Sequence, residues 1–201
     1  DDIDAVVYTA AIHPDNPEFA ACKAKGIPML SRAELLGQLM HNYKVSIAIS
    51  GTHGKTTTTS MLSEILMLAD TDPTVSVGGI LKSINGNIRV GGPEMFVTEA
   101  CEYTNSFLNF YPTDSIILNI EEDHLDFFKD IHDIRRSFHQ FASQTADGGS
   151  VIINTDIPDY EEITADINAS VITFGLEHEA MYTATDISFD GFGHPSFTVV
   201  K

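Results

Sequence analysis

The stretch Ser50-Gly51-Thr52-His53-Gly54-Lys55-Thr56-Thr57-Thr58-Thr59 sits between a β-branched apolar run and a helix-like run, and that setting narrows what the chain can become. Lys44-Val45-Ser46-Ile47-Ala48-Ile49 has the length and residue types of a buried parallel strand. Beyond the glycines, Met61, Leu62, Ile65, Leu66 and Leu68 recur at helical spacing. A strand, a glycine-bearing turn and a helix in this order make a phosphate-binding loop, because turn amides and the helix N-terminus all face one anion. Lys55 is then expected to reach the terminal phosphates and Thr56 to offer its hydroxyl to Mg²⁺, with Gly51, Thr52, His53, Gly54 and Thr57 completing the cradle. The expected ligand is ATP. The general pattern G-x-x-x-x-G-K-[ST] wants glycine at position 49, where this chain has Ile49. The alternative is a strand-to-helix turn with a merely solvated lysine, and the strand-loop-helix setting favours phosphate binding.

Composition sets the outer limits. With 201 residues, 43% of them hydrophobic, the chain can bury a substantial core and is expected to be globular and soluble. No apolar run approaches the roughly 18 residues of a membrane helix, and Asp1-Asp2-Ile3-Asp4 has the wrong sign for a signal peptide, so cytoplasm is the expected compartment. Cys22 and Cys101 are too few for a disulfide framework. A net charge of -18 opposes binding to nucleic acid or anionic membranes. It also requires that positive charge be concentrated locally wherever a nucleotide binds, through Lys55, loop amides and a divalent cation.

The rest of the chain alternates strand and helix. A strand over 4–12, a helix from Asn16-Pro17-Glu18 to Lys25, a strand over 27–30 and a helix from the Ser31/Glu34 capping box to about His41 open it. Residues 1–44 are therefore expected to be the trailing half of a Rossmann-like domain whose glycine-rich beginning lies elsewhere. From Val45 on, strands are expected at 95–99, 115–120, 150–154 and 170–174, with crossover helices over 131–143 and 160–167. Asp190-Gly191-Phe192-Gly193 between two alternating runs predicts a terminal β-hairpin. The class is α/β: a partial N-terminal domain, then a mostly parallel sheet with helices on both faces over 45–201.

Two strand ends carry candidate chemistry. Glu99 ends one buried strand, where ligand sites of open α/β sheets form, and a carboxylate there suits a metal. Glu102 is divided between supporting that metal and facing water. Asn119-Ile120-Glu121-Glu122-Asp123-His124-Leu125-Asp126 follows another strand, and its His124 can ligate a divalent ion, while Glu121 and Glu122 are expected to face solvent. Cys101 has no basic neighbour in sequence and reads as a small packing residue, as Met61 and Met67 read as core fillers. His13, His41, His132, His139, His178 and His194 lack metal-ligand spacing.

These residues resemble the Mur ligases of peptidoglycan synthesis. The resemblance rests on Gly51-Thr52-His53-Gly54-Lys55-Thr56-Thr57, a shorter form of the loop that accommodates Ile49, and on Asn16-Pro17-Glu18, Gly26-Ile27-Pro28, Val77-Gly78-Gly79, Glu99-Ala100, Ser106-Phe107-Leu108 and Asn119-Ile120-Glu121 with Asp123-His124. His53 is similar to the alanine-adding and peptide-recycling branches. The resemblance implies ATP-dependent joining of L-alanine to UDP-N-acetylmuramate, with Lys55 on the ATP phosphates, Thr56 and Glu99 on Mg²⁺, and His124 on a second divalent ion. It implies as well a C-terminal amino-acid-binding domain that this chain lacks, so these 201 residues alone are expected to be inactive. The chain departs from the family at Cys101 and Thr104, where acidic residues are usual, and Tyr103 replaces a serine.

Overall fold

The computed structural model describes residues 2–201. A short parallel pair, β1 (Val6–Tyr8) and β2 (Met29–Ser31), is connected through helix α1 (Pro17–Ala24). The Asn16 side chain caps α1 by accepting the amides of Glu18 and Phe19. Ser31 and Glu34 form the reciprocal capping box of α2 (Arg32–Met40). The main sheet is built from β3 (Val45–Ser50), β4 (Thr74–Leu81), β5 (Gly86–Arg89), β6 (Met95–Glu99), β7 (Asp114–Ile117), β8 (Ser150–Asn154), β9 (Ser170–Gly175), β10 (Tyr182–Phe189) and β11 (Pro195–Val200). Its spatial order is β11-β10-β9-β8-β7-β3-β6-β4-β5. Only β5 and β11, at the two edges, run antiparallel to their neighbours. The remaining helices are α3 (Lys55–Leu68), α4 (Ile131–Ser143) and α5 (Tyr160–Ile163), with 3-10 turns over Lys82–Ile84 and Tyr103–Asn109.

Register assigns the two faces of the sheet. Ala48, Phe96, Ile117, Val151 and Ile153 project to one side and pack with Ile134, Phe138, Phe141 and Ala142 of α4 and with Phe107. Phe107 stacks on Phe141 at 4.8 Å and meets Phe138 edge-on at 5.2 Å, the geometry favoured by the ring quadrupoles. Ile49, Val75, Val77 and Val97 are buried on the opposite side, where α3 lies against β3, β4 and β6. Helices thus cover both faces, as a parallel sheet requires.

Helix α2 belongs to the same packing unit as the main sheet. Met40, 1% exposed, enters the large core, and Ser46 Oγ donates to its carbonyl at 3.0 Å. Gly37 lies so near the 3-10 turn that a β-carbon would fall on the Asn109 carbonyl oxygen.

Several elements depart from the sequence expectation. The hairpin of β4 and β5 was not foreseen, because Gly78, Gly79 and Gly86 break its alternation. β1 covers three residues of the expected nine, and α5 ends at Ile163, short of 167. β7 stops at Ile117, and beyond it Leu118 N–H bonds Ser50 O while the Asn119 carbonyl accepts from Thr52 N–H. The helical spacing of α3 also misled: Thr59 and Ser63 are fully buried, whereas Met61, Ile65 and Leu68 are exposed. Met61 is thus a surface residue, because small hydroxyl side chains let the helix approach the sheet and turn its larger residues outward.

Ala is ordinarily preferred over Gly inside a helix by about 1 kcal/mol. Gly37→Ala is expected to reverse that sign, lowering the urea midpoint, because the methyl group must displace the Asn109 carbonyl.

Candidate functional site

The strand order places β6, β3 and β7 side by side and parallel, so Glu99, the loop after Ser50 and the segment after Ile117 meet at one edge. The loop turns through Gly51 and Gly54, the latter at φ +84° as the residue preceding the first turn of α3. No side chain caps α3, leaving its first amides to a ligand.

The loop is fastened on its β7 side. His53 N–H donates to Asn119 Oδ1 at 2.7 Å, and Asn119 Nδ2 donates back to the His53 carbonyl at 3.0 Å. Thr52 N–H bonds the Asn119 carbonyl at 3.1 Å, and Glu121 N–H donates to Thr52 Oγ1 at 2.9 Å. The His53 ring itself is exposed, 3.8 Å from Glu121.

On the β6 side, Thr56 Oγ1 donates to Glu99 Oε2 at 3.1 Å, and Gly78 N–H bonds Glu99 Oε1 at 2.5 Å. A side chain at 78 would crowd that carboxylate, its β-carbon falling 2.7 Å from Oε2. Lys55 folds back over the loop, donating to Gly51 O at 2.5 Å and Thr52 O at 3.2 Å, and pairing with both oxygens of Glu102 at 2.9 and 3.2 Å. His124 Nε2 stands 3.6 Å from Glu102 and 3.9 Å from Asp123. Its backbone is left-handed at φ +52°, and its ring lies 4.5 Å from that of Tyr103, whose hydroxyl donates to Asp126 at 2.8 Å. That bond and the adjacent carboxylate charge push the Tyr103 phenol up.

The structure therefore brings Gly51, Thr52, His53, Gly54, Lys55, Thr56, Glu99 and His124 to one edge and adds Glu102, Asn119, Gly78 and Tyr103 to them. Asn119 and Gly78 carried no local signal of a role beyond their place in strand-end motifs. Glu121 and Glu122 are exposed, as expected. Cys101 is exposed and not a packing residue, although its neighbours Ala100 and Glu102 are buried. Desolvation of its sulfur, then the charge of Glu102, push its thiol up, away from the nucleophilic form. His178 and His194 pair instead with Asp156 and Asp190.

Among the described residues no group of three or more His, Cys, Asp or Glu side chains is arranged to hold a metal unaided. Thr56 and Glu99 nevertheless present hard oxygen donors beside an uncapped helix N-terminus. That set fits Mg²⁺, which takes one or two protein oxygens and completes its shell with phosphate and water.

A parallel sheet with a glycine-turn loop entering a helix at the strand carboxyl edge defines the class of phosphate-loop α/β proteins. Residues 49–201 match the Mur ligase middle domain, and residues 1–44 match the Mur ligase family catalytic domain. The chain belongs to the Mur ligase family. It is 63% identical over 199 residues to UDP-N-acetylmuramate--L-alanine ligase of Agathobacter rectalis, covering 99% of this chain and 43% of that protein. Among solved structures, UDP-N-acetylmuramate-alanine ligase of Thermotoga maritima aligns with a TM-score of 0.78 at 30% identity, covering 92% of this chain and 41% of that one. A UDP-N-acetylmuramate:L-alanyl-gamma-D-glutamyl-meso-diaminopimelate ligase from Neisseria meningitides gives 0.83 at 26%, covering 98% and 64%. The chain thus spans about 43% of the length of the curated relatives it matches.

Asn119→Ala removes both side-chain bonds to His53 and is expected to lower stability by about 1–2 kcal/mol in urea unfolding. Amide exchange at His53 should accelerate in the same variant, localising the loss to the loop.

Proposed function

We propose that this chain supplies the ATP-binding part of a ligase that joins L-alanine to the carboxylate of UDP-N-acetylmuramate in peptidoglycan precursor synthesis. The observation that carries the reading is the convergence of Lys55, Thr56 and Glu99 on the uncapped N-terminus of α3. The choice of substrates is supported by 63% identity to a relative named for this reaction. In this reading residues 1–44 belong with the UDP-substrate domain and 45–201 form the central ATPase domain.

Loop amides from Gly51 to Thr57 would cradle the phosphates while Lys55 neutralises the group in transfer. Thr56 and Glu99 would hold Mg²⁺, with His124 beside a second divalent ion; the cations would supply charge neutralisation on the phosphate oxygens. The γ-phosphoryl group passes to the muramoyl carboxylate with release of ADP. The amine of alanine then attacks the resulting acyl phosphate, forming the amide and expelling inorganic phosphate. Such chemistry asks the protein for positioning and charge, not for a covalent nucleophile, which accords with the raised thiol of Cys101.

UDP-N-acetylmuramate:L-alanyl-gamma-D-glutamyl-meso-diaminopimelate ligase shares the fold, with a TM-score of 0.83 at 26% identity, against 30% for the solved alanine ligase and 63% for the curated one. The test is phosphate release with ATP, Mg²⁺ and UDP-N-acetylmuramate, in a polypeptide of the relatives' length that carries these residues. Release is expected with L-alanine and not with the tripeptide; the opposite pattern would overturn the assignment. Lys55→Ala is expected to slow that release about a hundredfold or more.

A further inference from the structure

Glu102 is the one acidic residue in the buried set of the described residues, at 2% exposure. A carboxylate taken out of water persists only when paired, and both of its oxygens are within 3.2 Å of the Lys55 ammonium. Lys55 has three N–H donors, and its bonds to Gly51, Thr52 and Glu102 engage all of them within the chain. The cation that the nucleotide reading assigns to phosphate is therefore neutralised by a carboxylate of the chain itself.

We propose that Glu102 is a charge gate on the phosphate loop, a positioning residue that makes the site accept a metal-complexed nucleotide and reject the bare polyanion. The proposal rests on the nucleotide-loop reading above. A bare nucleotide must pull Lys55 away from Glu102 and then lie beside a buried carboxylate that has lost its partner. The repulsion is strong there because little water separates the charges. A nucleotide carrying a divalent cation brings the compensating charge with it. The other group facing Glu102 is His124, at 3.6 Å, which can donate one hydrogen bond as Lys55 leaves. Glu99 does not share the task, because its oxygens are already occupied by Thr56 Oγ1–H and Gly78 N–H.

Three roles for Glu102 separate in one experiment, calorimetric titration of ADP into the chain with excess EDTA or with Mg²⁺. The gate predicts that wild type binds ADP about tenfold or more weakly in EDTA than in Mg²⁺, and that Glu102→Gln binds it about fivefold or more tightly than wild type in EDTA, losing most of the cation preference. Glu102→Asp, which keeps the charge, is expected to retain that preference. A scaffold role would weaken ADP equally in both conditions, and a metal-ligand role would weaken it only in Mg²⁺; either result overturns the gate. Absence of ADP binding to wild type in both conditions would overturn the nucleotide reading itself. A second measurement needs no variant: the ADP concentration that half-completes the ¹⁵N shift of the Lys55 ammonium is expected to be about tenfold or more higher in EDTA than with Mg²⁺. Equal midpoints would overturn the gate.

Discussion

The adjacency of β6, β3 and β7 in one parallel ladder is the constraint on which the site depends. Parallel strands deliver their carboxyl ends to a common edge, and these three deliver a metal-suited carboxylate, a phosphate loop and a polar clamp. The loop's partners Glu99 and Glu121 lie 43 and 69 positions from the loop residues they bond. The hydrogen bonds that clamp the loop to the β7 side are made by backbone and by short side chains because the ladder has already set the distances. The buried aromatic cluster of Phe107, Phe138 and Phe141 fixes α4 and the 3-10 turn behind the sheet, and so fixes where Glu102 enters.

Electrostatics gives the edge its character. The chain carries a net charge of -18, yet one lysine occupies the centre of the loop, and the structure surrounds it with two carbonyl oxygens and a buried carboxylate. Cation and anion are thus stored together, ready to be exchanged. Glu99 and Glu102 are the acids of their segment, one in contact with Thr56 and the other with Lys55.

Much of the fold was legible in the sequence. The Asn16 cap, the Ser31/Glu34 box, α4 from Ile131 to Ser143 and the β10–β11 hairpin follow from local chemistry, which neighbours did not overrule. The failures have a common origin in tertiary contact. α3 buries Thr59 and Ser63 because the sheet demands a close approach, a requirement that hydrophobic spacing does not encode. The β4–β5 hairpin is written with glycines, one of them at 78 so that a carboxylate can come close to its amide. Strand-end position was enough to pick out Glu99 and His124. The burial of Glu102 and the clamp by Asn119 became visible only when β3, β6 and β7 were placed side by side.

The paired bonds between Asn119 and the His53 peptide have a mechanical meaning. They bridge the segments that follow β3 and β7, just beyond the ladder that joins those strands, and so resist an outward swing of the loop. Opening it would break those bonds together with the ones that join Thr52 to Asn119 and Glu121. The backbone of the cradle is thus tied down on its β7 side, while the Lys55 ammonium is held by bonds of its own side chain. In the proposed reading, ligand entry asks first for a change of partner at Lys55.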